Sequence, residues 1–344
     1  MRQAHTPGAL WYGSLGAVLL LLAVVSLALG RYPVPMTTVL DILVNTLHPI
    51  PSYWKEVDAV VVLQLRLPRV LGALLAGMAL GMAGATLQGI FRNPLVDAHI
   101  IGISSGASFG GALALLLSLP AVGVVAGAFS MGMLALFLVF LVSASGRQGT
   151  IMALVLAGLI ISAFFSALVS LVVFLADPEV HLPGIVYWLM GSFGRINRES
   201  VLWLAVPVLC AAYPVYRMRW RINLLSLGDS DASALGIRVQ ATRWTLLTLV
   251  ALMVGAQVAV SGGIGWVGLM IPHLGRMLSG PDHRSLLPTS ALLGAIFTLL
   301  MDDLSRSFTV QELPVGLLSA LVGAPVFAFL FWHRKNNWLS GGMT

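Results

Sequence analysis

The residues able to do chemistry in this 344-residue sequence are few and widely spread. Gly102-Ile-Ser104-Ser-Gly106 fits the Gly-x-Ser-x-Gly pattern of a nucleophile elbow. That elbow needs a strand before the serine and a helix after it. Here the match opens an apolar run with no strand pattern ahead of it, so a nucleophilic Ser104 has little support. Phosphate-loop chemistry needs a glycine-rich turn ending in Gly-Lys-Ser/Thr. The two lysines, Lys55 after Trp54 and Lys335 before Asn336, lie in no such turn, so ATP is not hydrolysed here in that manner. The seven histidines show no His-x-x-x-His spacing, and the single cysteine, Cys210, excludes a thiolate metal cluster or a disulfide framework. Asp302 and Asp303 lie near the end of an apolar run, with Arg306 close behind. A carboxylate at such depth is either a proton site or half of an ion pair. The spacing to Arg306 favours the pair.

The elements that carry these residues are apolar. Hydrophobic residues make up 58% of the chain and charged residues 9%, against roughly 25% charged in soluble domains. A soluble fold lacks the polar surface to cover that much apolar area. Mean hydropathy is +0.94 and the pI is near 10.0. The basic residues sit at the ends of apolar runs and form no stripe, which argues against a nucleic-acid partner. At about 20 residues per membrane crossing, this content suffices for roughly ten spans.

The spans are expected at Leu10–Leu29, Val70–Leu87, Ile100–Leu119, Val122–Val142, Thr150–Leu175, Val201–Tyr216, Trp244–Val260, Gly265–Leu278, Leu287–Met301 and Val315–Trp332. The first follows one arginine and no Ala-x-Ala exit, so it is expected to be retained. Segments 31–65 and 176–200 are expected as excursions on the outer side, with a short helix over Leu182–Phe193. Placing the N-terminus in the cytoplasm puts Arg2, Arg92, Arg147, Arg217, Arg219, Arg221, Arg238, Arg243, Arg276, Arg284, Arg334 and Lys335 inside. Arg31, Lys55, Arg66, Arg69, Arg195, Arg198 and Arg306 fall outside. Twelve against seven favours both termini inside. Gly77 and Gly81 form a small-xxx-small pair for close helix approach. Gly102, Gly106 and Gly110 recur every four residues, with Ser104, Ser105 and Ser108 between them. Such residues either bond between helices or wet a pore. Gly158 and Ser162 are candidate pore positions by their small size.

Several segments together resemble the FecCD family of ABC importer permeases, the type II importers of iron-siderophores, haem and cobalamin. They are Arg66-Leu-Pro-Arg69, Gln88-Gly-Ile-Phe-Arg-Asn-Pro-Leu-Val-Asp97, Gly102-Ile-Ser-Ser-Gly-Ala107, Leu227-Gly-Asp-Ser-Asp-Ala-Ser-Ala-Leu-Gly236, Gly268-Leu-Met-Ile-Pro-His-Leu-Gly-Arg276, Pro281-Asp-His-Arg284, Glu312-Leu-Pro-Val-Gly316 and Gly323-Ala-Pro325.

The resemblance implies an all-α membrane protein with about ten transmembrane helices, one permease domain over 1–344. It implies a homodimer in a prokaryotic inner membrane, with two ATPase subunits below and a substrate-binding protein above. ATP and Mg would then sit on the partner ATPase, and this chain would bind no cofactor or metal and catalyse nothing. The loop 217–243 would couple to the ATPase through Leu227, Gly228, Asp229, Ser230, Asp231, Ala232, Ala234, Leu235 and Gly236. From the residues themselves, Asp229 or Ser230 can cap a short helix, and Ala232, Ala234 and Leu235 offer a small apolar face. Arg66, Arg69 and Arg306 would receive acidic residues of the binding protein, a task suited to bidentate arginine. Gly102, Ser104, Ser105 and Gly106 would lie beside the translocation path, and Pro272 would free a carbonyl that His273 could meet. Asp302 matches a family aspartate, and Asp303 is an addition to the pattern. The expected cargo is an iron chelate, siderophore or haem, with cobalamin and molybdate or tungstate as alternatives. A proton-coupled secondary carrier using Asp302 or Asp303, and a membrane hydrolase around Ser104, are the readings from other classes.

Overall fold

The computed structural model describes residues 8–144, 151–308 and 311–340. Arg2, His5, Arg147 and Thr150 lie outside the described residues. The described residues are helical, without strands. In chain order the helices are α1 (Ala9–Ala28), α2 (Met36–Asn45), α3 (Glu56–Val60), α4 (Leu67–Phe91), α5 (Ile103–Leu116), α6 (Ala121–Ala144), α7 (Ile151–Leu175) and α8 (Leu182–Leu189). Then follow α9 (Arg198–Arg217), α10 (Arg219–Leu227), α11 (Asp229–Ala234), α12 (Val239–Ser261), α13 (Val267–Ser279), α14 (His283–Ser307) and α15 (Val315–Ser340). Every expected span coincides with a helix. Among the described residues, seven helices are long and apolar enough to cross a membrane. With 14 and 13 residues, α5 and α13 are only about 20 Å long, short of the ~30 Å hydrocarbon core.

The outer excursion expected to run to residue 65 ends earlier. Glu56 starts a helical stretch of 36 residues that continues unbroken to Phe91. Pro68 has no N–H, so the ladder before it shifts to a π turn over Val61–Arg66, and the Leu67 N–H bonds to the Val62 carbonyl. Pro68 therefore changes the register of the helix without breaking it.

The core axis is α4. Its span is 78% buried, against 11% for α1 and 22% for α7, which present their sides outward. It packs most extensively on α14. Glycine makes this possible. A Cβ at Gly77 would collide with the Gly294 carbonyl, one at Gly81 with the Ser290 carbonyl, and one at Gly84 with the Gly268 carbonyl. The backbones of α4, α14 and α13 thus touch directly, as the small-xxx-small spacing implies.

Pro272 inside α13 removes the amide that would bond to the Gly268 carbonyl. Gln88 of α4 fills the gap: its Nε2 donates to the carbonyls of Gly268 and Leu269, both at 3.3 Å. Its Oε1 accepts from Arg276. His273, beside the freed carbonyl, is buried and sets its ring edge-on to Phe327 at 5.7 Å.

Candidate functional site

The candidate residues of the 217–243 segment and of the arginine set gather at the two ends of α14, whose 25 residues separate them by about 37 Å.

At its N-terminal end lies the 217–243 segment, which forms two short helices. Ile222, Leu224 and Leu225 bury one face of α10. Gly228 has φ 133, a conformation open to glycine, and turns the chain into α11. A Cβ there would lie 3.3 Å from Arg92 Nη1, so the turn after α4 abuts this loop. In that turn Asn93 Oδ1 accepts the Leu95 N–H at 2.9 Å, the tight Asx geometry its type favours.

Two details differ from expectation. Neither Asp229 nor Ser230 caps α11, because Gly228 occupies the N-cap position. Asp229 is the first helical residue and pairs at 2.7 Å with Arg243 of α12, whose side chain is fully buried. Its charge also suits the helix N-terminus. Ala232 points inward, fully buried, to seat α11 on the bundle. The exposed face comprises Ser230, Asp231, Ala234 and Gly236. It is flanked by Leu227 and Leu235, which are 61% and 59% exposed. Two leucines this open on so short a segment make an unburied apolar pair in search of a cover.

Asn223 joins α10 to α14, a link the sequence reading missed. Its Oδ1 accepts the His283 N–H at 2.9 Å and lies 2.8 Å from His283 Nδ1. Its Nδ2 donates to Asp282 Oδ1 at 2.6 Å. The backbone amide fixes the orientation of the Asn223 amide, so Nδ1 of His283 carries the proton. His283 Nε2 lies 3.2 Å from the Ala85 carbonyl of α4. One asparagine thus ties the exposed helices to α14, which packs on α4. Burial alone would raise the Asp282 carboxyl. The Arg284 N–H, the Asn223 amide and the Arg284 charge outweigh it and hold the group below its usual range. The only sequence signal for this joint was Pro281-Asp-His-Arg284.

At the other end of α14, Arg66, Arg69 and Arg306 meet Asp302, Asp303 and Glu312. The three arginines, expected at an outer rim to receive acidic residues of a partner, are 6%, 8% and 4% exposed. Arg69 pairs with Asp302 at 2.9 Å and with Glu312 at 2.8 Å. Arg306 pairs with Asp303, which also accepts from Ser26 Oγ at 2.6 Å. The last carbonyls of a helix lack internal partners and attract cations. Arg66 donates to those of Leu27 and Ala28 at 2.8 and 3.0 Å, and to that of Tyr32. Arg306 donates to those of Ser26 and Leu29 at 2.6 and 3.1 Å. Arg66, at the end of the π turn before α4, and Arg306 of α14 therefore hold the end of α1. Asp303 now has a use, as the anchor between α14 and Ser26. The Asp302–Arg306 relation read from sequence is present at 3.9 Å, but Arg69 is the closer partner. A cavity of about 280 Å³ beside the cluster is lined by Arg31, Tyr32, Arg66, Arg306 and Glu312.

The residues expected beside a path pack tightly within this chain. Gly102 caps α5 at φ 84. Gly106 is covered by α6 at Met131 and Ala135, and Gly158 by the backbone at Ile100. Ser162 donates to the His99 carbonyl at 2.6 Å. Ser104 is buried and Ser105 half-buried. Close packing of α5 is what Gly106 and Gly158 serve here. Ser104, Asp97 and His99 line one cavity of about 10 Å³, room for about one water and too small for a substrate. Ser104 starts a helix rather than following a strand, so the elbow geometry is not met.

Comparison with known proteins places this arrangement. The description of the FecCD transport family matches residues 18–333. The molybdate import system permease protein MolB of Haemophilus influenzae is 44% identical over 329 residues, 95% of each chain. The hemin transport system permease protein of Yersinia pestis is 39% identical, covering 80% of this chain and 84% of that one. A solved structure described as an inward-facing conformation of a putative metal-chelate type ABC transporter superposes with TM-score 0.85. It is 43% identical, covering 94% of this chain and 98% of that one.

Proposed function

Because the chain belongs to the FecCD transport family, we propose a specific division of labour for it as an ABC importer permease. It works as a homodimer in the inner membrane, with both termini in the cytoplasm and the translocation path between the two copies. ATP and Mg are held and hydrolysed by a partner subunit. That subunit seats α11 and the Leu227–Leu235 pair in a groove, with Asp229, Ser230, Asp231, Ala234 and Gly236 along the contact. The observation that carries this reading is the exposed leucine pair on a segment clamped to α14 and α12. ATP can shift the facing state only if the ATPase binds one state better than the other. The clamp at Asn223 is a direct route by which that preference reaches α4 and α14.

A substrate-binding protein docks at the opposite end. Arg69 already holds Glu312, whose side chain is 32% exposed. An incoming acidic residue would replace Glu312, the most open of the three internal carboxylates. Gly102, Ser104, Ser105, Gly106, Gly158 and Ser162 lie near the path without being its free surface.

For the cargo, we place a molybdate-type oxyanion first, on the 44% identity across the length of both chains. An iron chelate or haem is second, on the hemin permease and the metal-chelate transporter structure. A proton-coupled carrier finds no ready site, because Asp302 is fully buried against Arg69 and Asp303 is held by Ser26 and Arg306.

The test is co-expression with the ATPase and binding protein, reconstitution, and calorimetry of the binding protein against molybdate, tungstate, ferric siderophores, haem and cobalamin. Leu227→Asp with Leu235→Asp should leave the permease folded and abolish its co-purification with the ATPase. A chain that purifies alone and moves solute under a proton gradient would overturn the proposal.

A further inference from the structure

Beside the α10 end of the bundle, two arginines place their guanidinium groups over aromatic rings. The Arg219 guanidinium stacks on Tyr216 at 4.2 Å, and that of Arg284 on Trp220 at 4.3 Å. Arg219 Nη1 also donates to the Tyr216 carbonyl at 2.9 Å. No ion pair engages Arg217, Arg219, Arg221 or Arg284 among the described residues. The neighbouring Asp282 is taken up by Asn223 and by the Arg284 amide. Arg219 and Arg284 therefore sit against Tyr216 and Trp220 at one edge of the bundle, with no carboxylate in ion-pair contact among the described residues, and Asp282 feels the Arg284 charge without pairing with it.

An apolar stripe leads away from this edge. Leu202, Val206, Leu209, Tyr213 and Tyr216 recur at helical spacing along α9 and are 61%, 60%, 53%, 64% and 39% exposed. Trp220, 51% exposed, continues the line onto α10. From Leu202 to Tyr216 the stripe is about 21 Å long, enough for one acyl chain in a leaflet of about 15 Å. Its far end opens into an apolar groove of about 480 Å³ lined by Val122, Phe129, Leu202, Trp203, Val206 and Pro207. Tyr and Trp favour the headgroup level of a membrane. The ring contact holds each guanidinium in place, and the N–H groups not used by the Tyr216 carbonyl remain for the charge-assisted bonds that phosphate accepts.

We propose that the Tyr216–Arg219–Trp220–Arg284 face is a binding site for an anionic phospholipid, with the phosphate on the arginine edges and one acyl chain along α9. The juxtaposition of an unpaired cationic edge and an apolar track selects a lipid over a soluble phosphate, which would use only the edge. The site stands independently of which cargo is carried.

The test is native mass spectrometry of the full chain in detergent, titrated with phosphatidylglycerol or phosphatidylcholine. The wild type should retain phosphatidylglycerol preferentially, by about fivefold per contributing arginine. Arg219→Gln with Arg284→Gln should abolish the preference, and the lysine pair at the same positions should keep only part of it. Arg195→Gln with Arg198→Gln, exposed residues at the opposite end, should leave it intact. Circular dichroism confirms that each variant is folded. Equal retention of the two lipids, or an unchanged preference in the folded glutamine variant, overturns the proposal. Displacement of phosphatidylglycerol by millimolar inorganic phosphate overturns the lipid assignment. Loss of ATPase binding in the glutamine variant with lipid retention unchanged would assign the face to the protein partner instead.

Discussion

Arg69 offers a comparison internal to one side chain. It holds two carboxylates at nearly equal distance, Asp302 at 2.9 Å and Glu312 at 2.8 Å. They differ in surroundings: the Asp302 side chain is fully buried and that of Glu312 is 32% exposed. At an effective dielectric of about 20, a pair at this separation is worth roughly 6 kcal/mol before desolvation, and in bulk water roughly 1.5 kcal/mol. Removing one partner of a buried pair typically costs about 3–5 kcal/mol, because the other charge is stranded. Partly exposed pairs fall near 0–1 kcal/mol. Asp302→Asn should therefore destabilise the protein by about 3 kcal/mol or more, and Glu312→Gln by about 1 kcal/mol or less. Unfolding in SDS mixed micelles, followed by circular dichroism, measures both. Equal losses for the two variants would refute the argument that burial, not distance, sets the strength of these pairs.

Gly84→Ala should cost at least about 1–3 kcal/mol in the same assay, since its Cβ would meet the Gly268 backbone, which cannot yield as a side chain can. Gly16→Ala has nothing within 4 Å and should be neutral or stabilise α1 slightly, by up to about 1 kcal/mol. Asn223→Ala should cost about 1–3 kcal/mol by leaving the buried His283 N–H unpaired. In the reconstituted importer it should also reduce transport per ATP hydrolysed. Asp282 has a folded-state pKa below its ordinary 3.8, so its contribution is fully present above 3.8 and fades as pH falls through the lower folded value. The melting-temperature gap between wild type and Asp282→Asn should thus be largest at neutral pH and close in strong acid.

Much of the scaffold was legible from apolar runs bounded by charge, proline and glycine, because a bilayer demands such runs. The Gly77–Gly81 spacing also announced its backbone contact. The start of the second long helix at Glu56 was hidden, since the prolines at 33, 35, 49 and 51 read as an irregular segment extending to the next apolar run. The arginine cluster was misjudged for another reason. An arginine beside a span end suggests a water-facing group, and the buried partner of Arg69 stands 233 residues away. No local pattern carries that distance. Gln88 escaped notice likewise, because its task is defined by a proline in a different helix. On α11, the direction in which Ala232 points depends on packing beneath a helix of six residues, too short for periodicity to establish.

The grip on α1 has a consequence for biosynthesis. Arg66 reaches the end of α1 from only 39 residues away, whereas Ser26 meets Asp303 across 277. At about 5–20 residues per second, those 277 residues take on the order of 14–55 s to emerge. Through that interval a nascent chain holds its first helix by a single guanidinium, while Arg69 waits for a carboxylate still unsynthesised. A chain that stops before Asp302 leaves the Arg69 guanidinium without its buried carboxylate. Closure of this cluster is therefore reached only when the last quarter of the protein has joined the first.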